Sequence, residues 1–135
     1  MNHLLDTNAF SDLMREHPPM IARVASLPAE DQVVTCSIVR GEILFGIDRL
    51  RPGKQQRDLM AKASNLFKVV PCEPVPEAAG DQYAQLKVAR ARKGLTMDEN
   101  DLWIAATALV VGSALVSRDR DMQQVDGLTV VDWST

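Results

Sequence analysis

Four acidic residues, spread along the chain, are the strongest candidates for chemistry: Asp6, Glu42, Asp101 and Asp119. The chain has only two histidines, His3 and His17, and neither belongs to a zinc or nucleophile motif. Carboxylates gathered without histidine or reactive cysteine suit a hard divalent cation, because Mg²⁺ and Mn²⁺ prefer carboxylate and water oxygens. Such an ion activates a water molecule and stabilises the leaving oxygen of a phosphodiester. The residue types therefore indicate metal-dependent phosphoryl hydrolysis.

Ordinary structural roles remain open for three of these acids. Asp6 and Asp119 stand where an N-cap is expected, just before the helical patterns that begin near Asn8 and Arg120. Glu42 lies at the border of the apolar stripe of its helix, where a carboxylate needs a partner. A salt bridge to an arginine is the simplest alternative for it.

Asp101 is explained least well by a structural role. Thr96 and Glu99 match the Thr-x-x-Glu capping box, which predicts a helix from about Met97. Asp98 and Glu99 then lie in the first turn, where the helix dipole favours negative charge. Asp101 lies further in, and Asp98 on the same face repels it by roughly 0.2–0.5 kcal/mol. This unfavourable placement favours a functional role for Asp101.

The elements that must position these acids are short apolar strands alternating with helical patterns. Strands are predicted at His3–Leu5, Gln32–Cys36, Lys68–Pro71, Ala114–Val116 and Leu128–Val131. Helices are predicted at about Asn8–Glu16, Met20–Leu27, Ile38–Leu50, Gln55–Leu66, Glu77–Lys93 and Asn100–Val111. The alternation predicts an α/β fold with a mainly parallel sheet covered on both faces. Ligand sites in such sheets form beyond the carboxyl ends of the strands, where these acids would converge.

Length and composition predict one soluble domain over residues 1–135, since 46% of the residues are hydrophobic and 24% are charged. No apolar run approaches the ~18–20 residues that span a bilayer, and no signal peptide is visible. Cys36 and Cys72 lack metal-ligand spacing and lie in apolar strand-like runs. We interpret them as reduced core residues and expect a cytoplasmic protein without membrane contact.

Four motifs resemble, in order, the successive motifs of PIN-domain ribonucleases, and most closely those of the bacterial VapC-type toxins. They are Leu4-Leu5-Asp6-Thr7-Asn8, Gly41-Glu42-Ile43-Leu44-Phe45-Gly46, Asp101-Leu102-Trp103-Ile104-Ala105-Ala106-Thr107-Ala108 and Leu115-Val116-Ser117-Arg118-Asp119. The resemblance implies a PIN-like three-layer α/β/α fold with about five strands, dependence on Mg²⁺ or Mn²⁺, and endonucleolytic cleavage of RNA. It also implies a homodimer and a VapB-like antitoxin that covers the acidic groove, with DNA contacted only through that antitoxin.

Carried over by position, the resemblance implies four metal-binding acids: Asp6, Glu42, Asp101 and Asp119. Asp6 and Asp101 are the two most expected to hold an ion directly. Polar neighbours that orient these acids or a bound water would be Thr7, Asn8 and Ser117. Asp98 is a candidate for a further acid around the ion, and Asp121 lies close enough in sequence to compete with Asp119.

RNA would have to be held by a protein whose net charge is −3, which argues against binding through bulk positive charge. Leaving out the four candidate acids changes that charge to +1. Two basic clusters are either solvated helix faces or phosphate contacts: Lys87, Arg90, Arg92 and Lys93, and Arg49, Arg51, Lys54 and Arg57. Arg40, Lys87 and Arg90 are the predicted contacts to RNA or antitoxin. Base stacking would rest on Tyr83 or Trp103, both of which we expect in the core.

Two other classes of function remain open. In an Asp-nucleophile phosphohydrolase, Asp6 would be the nucleophile, but haloacid-dehalogenase-like enzymes carry a second Asp two residues later, where this chain has Asn8. In the other class, a weakly catalytic or non-catalytic PIN scaffold would act with a DNA-binding antitoxin in transcriptional control. The intact set of acids disfavours a loss of catalysis.

Overall fold

Short apolar runs form an all-parallel five-stranded sheet at the centre of the molecule. The computed structural model describes all 135 residues. The strands are β1 (Asn2–Leu5), β2 (Gln32–Cys36), β3 (Cys72–Glu73), β4 (Ala114–Val116) and β5 (Val130–Val131). The helices are α1 (Thr7–Met14), α2 (Pro18–Ala25), α3 (Ser37–Asp48), α4 (Lys54–Val69), α5 (Glu77–Arg92), α6 (Glu99–Val111) and α7 (Arg120–Gln123). None of these helices has the length and apolar character needed to cross a lipid bilayer.

The sheet has the strand order β3-β2-β1-β4-β5, with β1 at its centre. All four strand pairs are parallel, and Leu5 of β1 is in register with Val116 of β4. The chain moves from β1 outward through β2 to β3, and then returns to the other side of β1 to add β4 and β5. The order therefore reverses between β1 and β4. In open α/β sheets a ligand crevice forms at such a reversal, beyond the carboxyl ends of the strands.

The core surrounds the three central strands. Leu4, Leu5 and Leu115 are completely buried because helices cover the sheet, which is why these strands are apolar runs rather than alternating ones. The helices α1 to α4 contact one another, whereas α5 packs mainly on α6. Gly112 ends α6 in a left-handed conformation at φ 70°, which glycine adopts without a Cβ penalty and which turns the chain into β4. The predicted three-layer α/β/α fold with a parallel sheet is confirmed.

Three local predictions were wrong. The predicted strand Lys68–Pro71 overlaps the end of α4, and the strand that follows is the two-residue β3. Cys72 is exposed rather than buried, because β3 lies at the edge of the sheet. The helix α6 is not started by a capping box with Thr96: its N-cap is Asp98, whose carboxylate accepts hydrogen bonds from the amides of Asn100 and Asp101.

Candidate active site

Asp6 follows β1 directly and is almost fully buried, with 5% of its surface exposed. Its Oδ1 accepts a hydrogen bond from the amide of Ala9 at 2.8 Å, so Asp6 is the N-cap of α1. Burial raises the pKa of Asp6, and hydrogen bonds from Ser117 and from the Ala9 amide partly offset that rise. The capping role expected as an alternative is therefore real. It accounts for one carboxylate oxygen, while the Coulombic effect of Asp119 on Asp6 places a second acid nearby.

The end of β4 supplies the residues next to Asp6. Ser117 is buried, hydrogen-bonds Asp6, and accepts a hydrogen bond from the amide of Asp119 at 3.0 Å. Asp119 is the N-cap of α7, where it accepts from the amide of Asp121 at 2.9 Å. Asp121 itself lies 3.5 Å from Arg90 and is half-exposed. Asp119 is among the charges that raise the pKa of both Asp6 and Asp101.

Glu42 reaches the site from α3. Its Oε1 accepts a hydrogen bond from the hydroxyl of Thr7 at 2.5 Å, which joins α3 to the first turn of α1. No lysine or arginine pairs with Glu42, so the expected structural alternative of a salt bridge is absent. The carboxylate is held by a neutral donor and forms no ion pair with a cation of the chain.

Asp101 is the acid of the site whose pKa is raised to about 7. It lies in the first turn of α6 and is half-buried. Burial raises its pKa most, and the charges of Asp98, Asp119, Glu42 and Asp6 raise it further, to about 7. Four acids from four separate parts of the chain thus oppose ionisation of one carboxyl. Asp6, Glu42 and Asp119 thus lie within electrostatic reach of Asp101, with Asp98 beside it as the cap of the helix, and their role as metal ligands stays a prediction.

The donor chemistry fits a hard divalent cation. All the candidate ligands are carboxylates, and the negative charges that add to burial in raising the pKa of Asp101 are ones that a bound cation would offset. As the side chains stand, no three acidic, histidine or cysteine groups converge closely enough to hold one ion. Thr7 and Ser117 hydrogen-bond acids of the site, as expected from sequence, whereas Asn8 is exposed and makes no hydrogen bond to them.

Two open grooves flank Glu42. One has a volume of about 440 Å³ and is lined by Ser37, Ile38, Gly41, Glu42, Phe45 and Asn100. The other, about 300 Å³, lies among α1, α3 and α4, and its lining includes Thr7, Glu42 and Leu59. Both grooves give an extended molecule access to Glu42, the one candidate acid that lines them.

The predicted contacts to RNA or antitoxin do not lie free beside the acids. Arg40 is two residues from Glu42, which places it about 200° around the helix, and its guanidinium lies 4.4 Å over the ring of Phe67. Lys87 donates hydrogen bonds to Glu99 and to the Tyr83 hydroxyl.

Arg90 was wrongly predicted to face a ligand, because it is 7% exposed and donates to the carbonyl of Thr96 at 3.0 Å. Of the predicted core aromatics, Tyr83 and Trp103 are half-buried and stack on each other, with ring centroids 4.1 Å apart.

A buried ionic cluster behind the site was missed from sequence. Asp12 is 4% exposed and accepts hydrogen bonds from Arg15 at 2.7 Å and from Arg118 at 2.6 Å. Arg118 lies between Ser117 and Asp119 in the chain, so this pair ties α1 to the loop that carries both residues. The spacing of Asp12 and Arg15 on one helix face was visible, but a partner 106 residues away was not.

Comparison with known proteins gives consistent matches over the whole chain. The sequence model of the PIN domain family matches residues 3–128. Ribonuclease VapC1 of Haemophilus influenzae is 29% identical, with 99% of both chains covered. Ribonuclease VapC2 of Rickettsia felis is 22% identical, with 98% of both chains covered.

Solved structures of similar shape include VapBC-1 from nontypeable Haemophilus influenzae, with a TM-score of 0.88, 25% identity and full coverage of both chains. FitAcB from Neisseria gonorrhoeae has a TM-score of 0.84 and 26% identity, with 97% of each chain covered. VapBC2 from Rickettsia felis, bound to a DNA fragment from its promoter, has a TM-score of 0.89 at 21% identity, covering 98% of this chain and 99% of that one. At that identity the last match speaks for the fold alone.

Proposed function

Because the chain belongs to the PIN domain family, we propose that it is an endoribonuclease that depends on Mg²⁺ or Mn²⁺ and cleaves RNA phosphodiesters. The observation that carries this proposal is that Asp101 is half-buried and within electrostatic reach of Asp98, Asp119, Glu42 and Asp6, so that burial first and these charges second raise its pKa to about 7. Relatives named as VapC ribonucleases, similar over the whole chain, support the substrate class.

In this proposal the four acids Asp6, Glu42, Asp101 and Asp119 hold the cation. The bound ion supplies an activated water and stabilises charge on the leaving oxygen. Two neighbouring hydroxyl residues orient these acids. Thr7 holds one oxygen of Glu42, and Ser117 links Asp6 to the backbone of Asp119. Asp101, whose pKa is about 7, would have to lose its proton to act as a ligand, so binding of a cation there would be coupled to proton release.

The test is cleavage of total RNA by the purified protein with Mg²⁺, with Mn²⁺ and with EDTA. We expect cleavage with the metals only, and a loss of at least about 100-fold in Asp6→Asn and Asp101→Asn, because each removes a charged ligand. Glu30→Gln is the matched control, since Glu30 is exposed and precedes β2, at the end of the strands opposite the candidate site. Equal cleavage by all four proteins would overturn the proposal.

We further propose that the protein is the toxin of a toxin–antitoxin pair, acts as a homodimer, and is neutralised by a VapB-like antitoxin that contacts the promoter DNA. The similar structures include VapBC complexes, which supports such a partner. Growth arrest on expression, relieved by a small reading frame encoded directly upstream, is the expected result. Arrest that the upstream frame does not relieve would contradict the pairing and leave the nuclease proposal intact.

The Asp-nucleophile alternative finds little support in the site. Asp6 caps α1 through Oδ1, and the residue two positions later is the exposed Asn8 rather than a second acid. A covalent phospho-aspartate at Asp6 after incubation with a phosphorylated substrate would favour that class. Purely transcriptional action would show as DNA binding with the antitoxin by a protein that cleaves no RNA with any divalent metal.

A further inference from the structure

Two residues of α3 and the residue that caps its C-terminus form a line that starts at the candidate active site. Glu42, Phe45 and Arg49 are three and seven residues apart, which places them on the same side of the helix. At ~1.5 Å rise per residue, Phe45 lies about 4.5 Å and Arg49 about 10 Å beyond Glu42 along the helix axis. The line is therefore short enough that one strand of nucleic acid, bound at the acids, could contact all three residues.

Phe45 is exposed to 68%, and it is the one aromatic residue among the exposed large hydrophobic side chains. Its ring borders the 440 Å³ groove that also contains Glu42 and Asn100. The two residues from which stacking was expected, Tyr83 and Trp103, are occupied with each other. Phe45 is thus the aromatic face that remains available beside the acids.

The wall of this groove is free of side-chain obstruction. Gly41 lines it, and a Cβ built on Gly41 would meet no protein atom within 4 Å. Gly46, one residue beyond Phe45, is equally open. A flat ligand can therefore approach the backbone of α3 between Glu42 and Phe45.

Arg49 provides a cation at the far end of the line. Its guanidinium lies 5.9 Å from the centroid of the Phe45 ring, and no carboxylate lies within ion-pairing distance of it. The cation is therefore available to a phosphate. An acidic site, an aromatic face and an unpaired cation in that order match the phosphate, base and phosphate of an RNA strand.

We propose that Phe45 is a stacking platform for a base of single-stranded RNA next to the cleaved phosphodiester, with Arg49 contacting the adjoining backbone phosphate. This inference rests on the proposed ribonuclease function and names the form of its substrate. A single strand is required because the bases of a duplex are stacked on one another and present no free face.

The surroundings of Phe45 favour RNA over a protein partner. A stable protein interface buries about 800 Å² on each side and has an apolar centre. Among the other exposed residues of α3, Ser37, Arg40 and Asp48 are polar and Gly41 lacks a side chain, while the partly buried Ile38 is the second apolar residue that lines the groove. One exposed ring beside one partly buried isoleucine is too small an apolar area for such a centre, but it is enough for one base.

The first experiment measures binding of a fluorescein-labelled single-stranded RNA of mixed sequence to the Asp6→Asn protein with Mg²⁺, so that cleavage does not interfere. Adding Phe45→Ala is expected to weaken binding about 5- to 100-fold, as loss of one stacked base does. Val69→Ala is the matched control, because Val69 is 73% exposed at the end of α4. Binding of the same RNA annealed to its complement is expected to change little.

A second experiment narrows the groove beside Phe45 and leaves the phenyl ring itself unchanged. Gly41→Ala adds a methyl group that meets nothing in the protein and raises helix propensity, so the fold is expected to be as stable or more stable. RNA binding is expected to fall several-fold, because the methyl group occupies the approach of the base. Gly80→Ala on α5 is the matched control, since its Cβ would also meet no protein atom within 4 Å.

The outcomes separate this inference from the proposed function. Metal-dependent cleavage by the wild type with unchanged binding and KM in Phe45→Ala would overturn the inference alone. Weakened binding in Phe45→Ala without any cleavage by the wild type would support the stacking site and overturn the ribonuclease. A fall in mass from dimer to monomer by light scattering in Phe45→Ala would assign the ring to contact between copies of the chain and overturn the inference.

Discussion

At the scale of single residues, the carboxylate of Asp101 is a site for which a proton and a divalent cation are expected to compete. Burial, followed by the charges of the neighbouring acids, raises its pKa to about 7, so near neutral pH the metal-free protein is a mixture of protonated and ionised forms. A divalent cation competes with that proton. The same carboxyl therefore links metal binding, pH and stability.

The stability of the metal-free protein is expected to fall as pH rises from about 4 to 7, because the unfolded Asp101 loses its proton in this range and the folded one retains it. Above pH 7 the folded chain holds the unfavourable charge in full. Asp101→Asn removes the charge, so at pH 8 in EDTA it is expected to be more stable than the wild type, by on the order of 1 kcal/mol for a half-exposed group.

Urea unfolding at pH 4 and pH 8 measures this difference. At pH 4 the two proteins are expected to be equally stable, and saturating Mg²⁺ at pH 8 is expected to reverse their order because only the wild type keeps all its ligands. Asp126→Asn, an exposed acid outside the site, is the control and is expected to show no pH-dependent gain. A wild type more stable than Asp101→Asn at pH 8 in EDTA would contradict the argument.

The hydroxyl of Thr7 is expected to position Glu42. Thr7→Val keeps the shape and removes the donor, whereas Thr7→Ser keeps the donor. A hydrogen bond to a charged group contributes about 1.5–3 kcal/mol, so cleavage by Thr7→Val is expected to fall roughly 10- to 100-fold. Thr7→Ser is expected to retain most of the activity. Equal rates for the two variants, measured at several Mg²⁺ concentrations, would assign Thr7 no positioning role.

At the scale of elements, the strongest apolar patterns were the predictable ones. β2 and β4 were predicted at their observed bounds, and α6 differed by one residue, because buried parallel strands and long helices have clear apolar signals. β3 was misplaced because two residues at a sheet edge give no pattern, while the apolar end of α4 does. The start of α6 was misread because Asp98 competes for the cap that Thr96 was expected to supply.

The candidate acids could be singled out from sequence because each follows or lies within an element whose position is predictable, and their role as metal ligands stays a prediction. The orientations of the arginines were not predictable, since they depend on contacts across the fold. Arg40 lies over a ring of α4, and Arg90 fills a polar gap between α5 and the segment before α6. Phe45 was passed over as a motif residue, because its exposure depends on what packs against α3.

The pair Asp12 and Arg118 ties α1 to the loop after β4, and this tie is expected to hold Ser117 and Asp119 in place. Asp12→Asn leaves Arg118 without its partner, and we expect a loss of about 1–3 kcal/mol in the free energy of unfolding, because only one partner is buried. Apparent affinity for Mg²⁺ is expected to fall as well. Arg15 is the more exposed of the two arginines that pair with Asp12, so Arg15→Ala is expected to lower the free energy of unfolding by less than about 1 kcal/mol.

Urea unfolding and Mg²⁺ titration of cleavage measure both effects. If Asp12→Asn lost stability while its Mg²⁺ dependence matched that of Arg15→Ala, the pair would support the fold without positioning the site.

At the scale of the whole molecule, the parallel sheet makes its two ends electrostatically unequal. The candidate metal-binding acids lie at the carboxyl ends of the strands or on helices that reach that end, around the reversal between β1 and β4. Glu30 and Asp126 precede β2 and β5 and so belong to the opposite end. The net charge of −3 therefore does not by itself predict whether, or at which end of the sheet, the molecule binds RNA.

Two double variants, each with a net charge of −1, distinguish the effect of where the negative charges lie on RNA binding from the effect of the total net charge. At pH 8, where Asp101 is mostly ionised, Asp6→Asn with Asp101→Asn removes two charges where RNA is expected to bind, and Glu30→Gln with Asp126→Asn removes two at the far end. In EDTA we expect the first pair to bind single-stranded RNA several-fold more tightly than the wild type. Two charges about 10 Å from a phosphate contribute on the order of 1 kcal/mol of repulsion in water.

The second pair is expected to bind like the wild type, because repulsion across the length of the sheet is screened beyond about 10 Å at 0.1 M salt. Added Mg²⁺ is expected to invert the result at the site, since the wild type then holds the cation and the first pair does not. Fluorescence anisotropy with labelled RNA measures all of these affinities at one ionic strength. Equal affinities for the two pairs in EDTA would show that total charge, rather than its position at one end of the sheet, governs RNA binding.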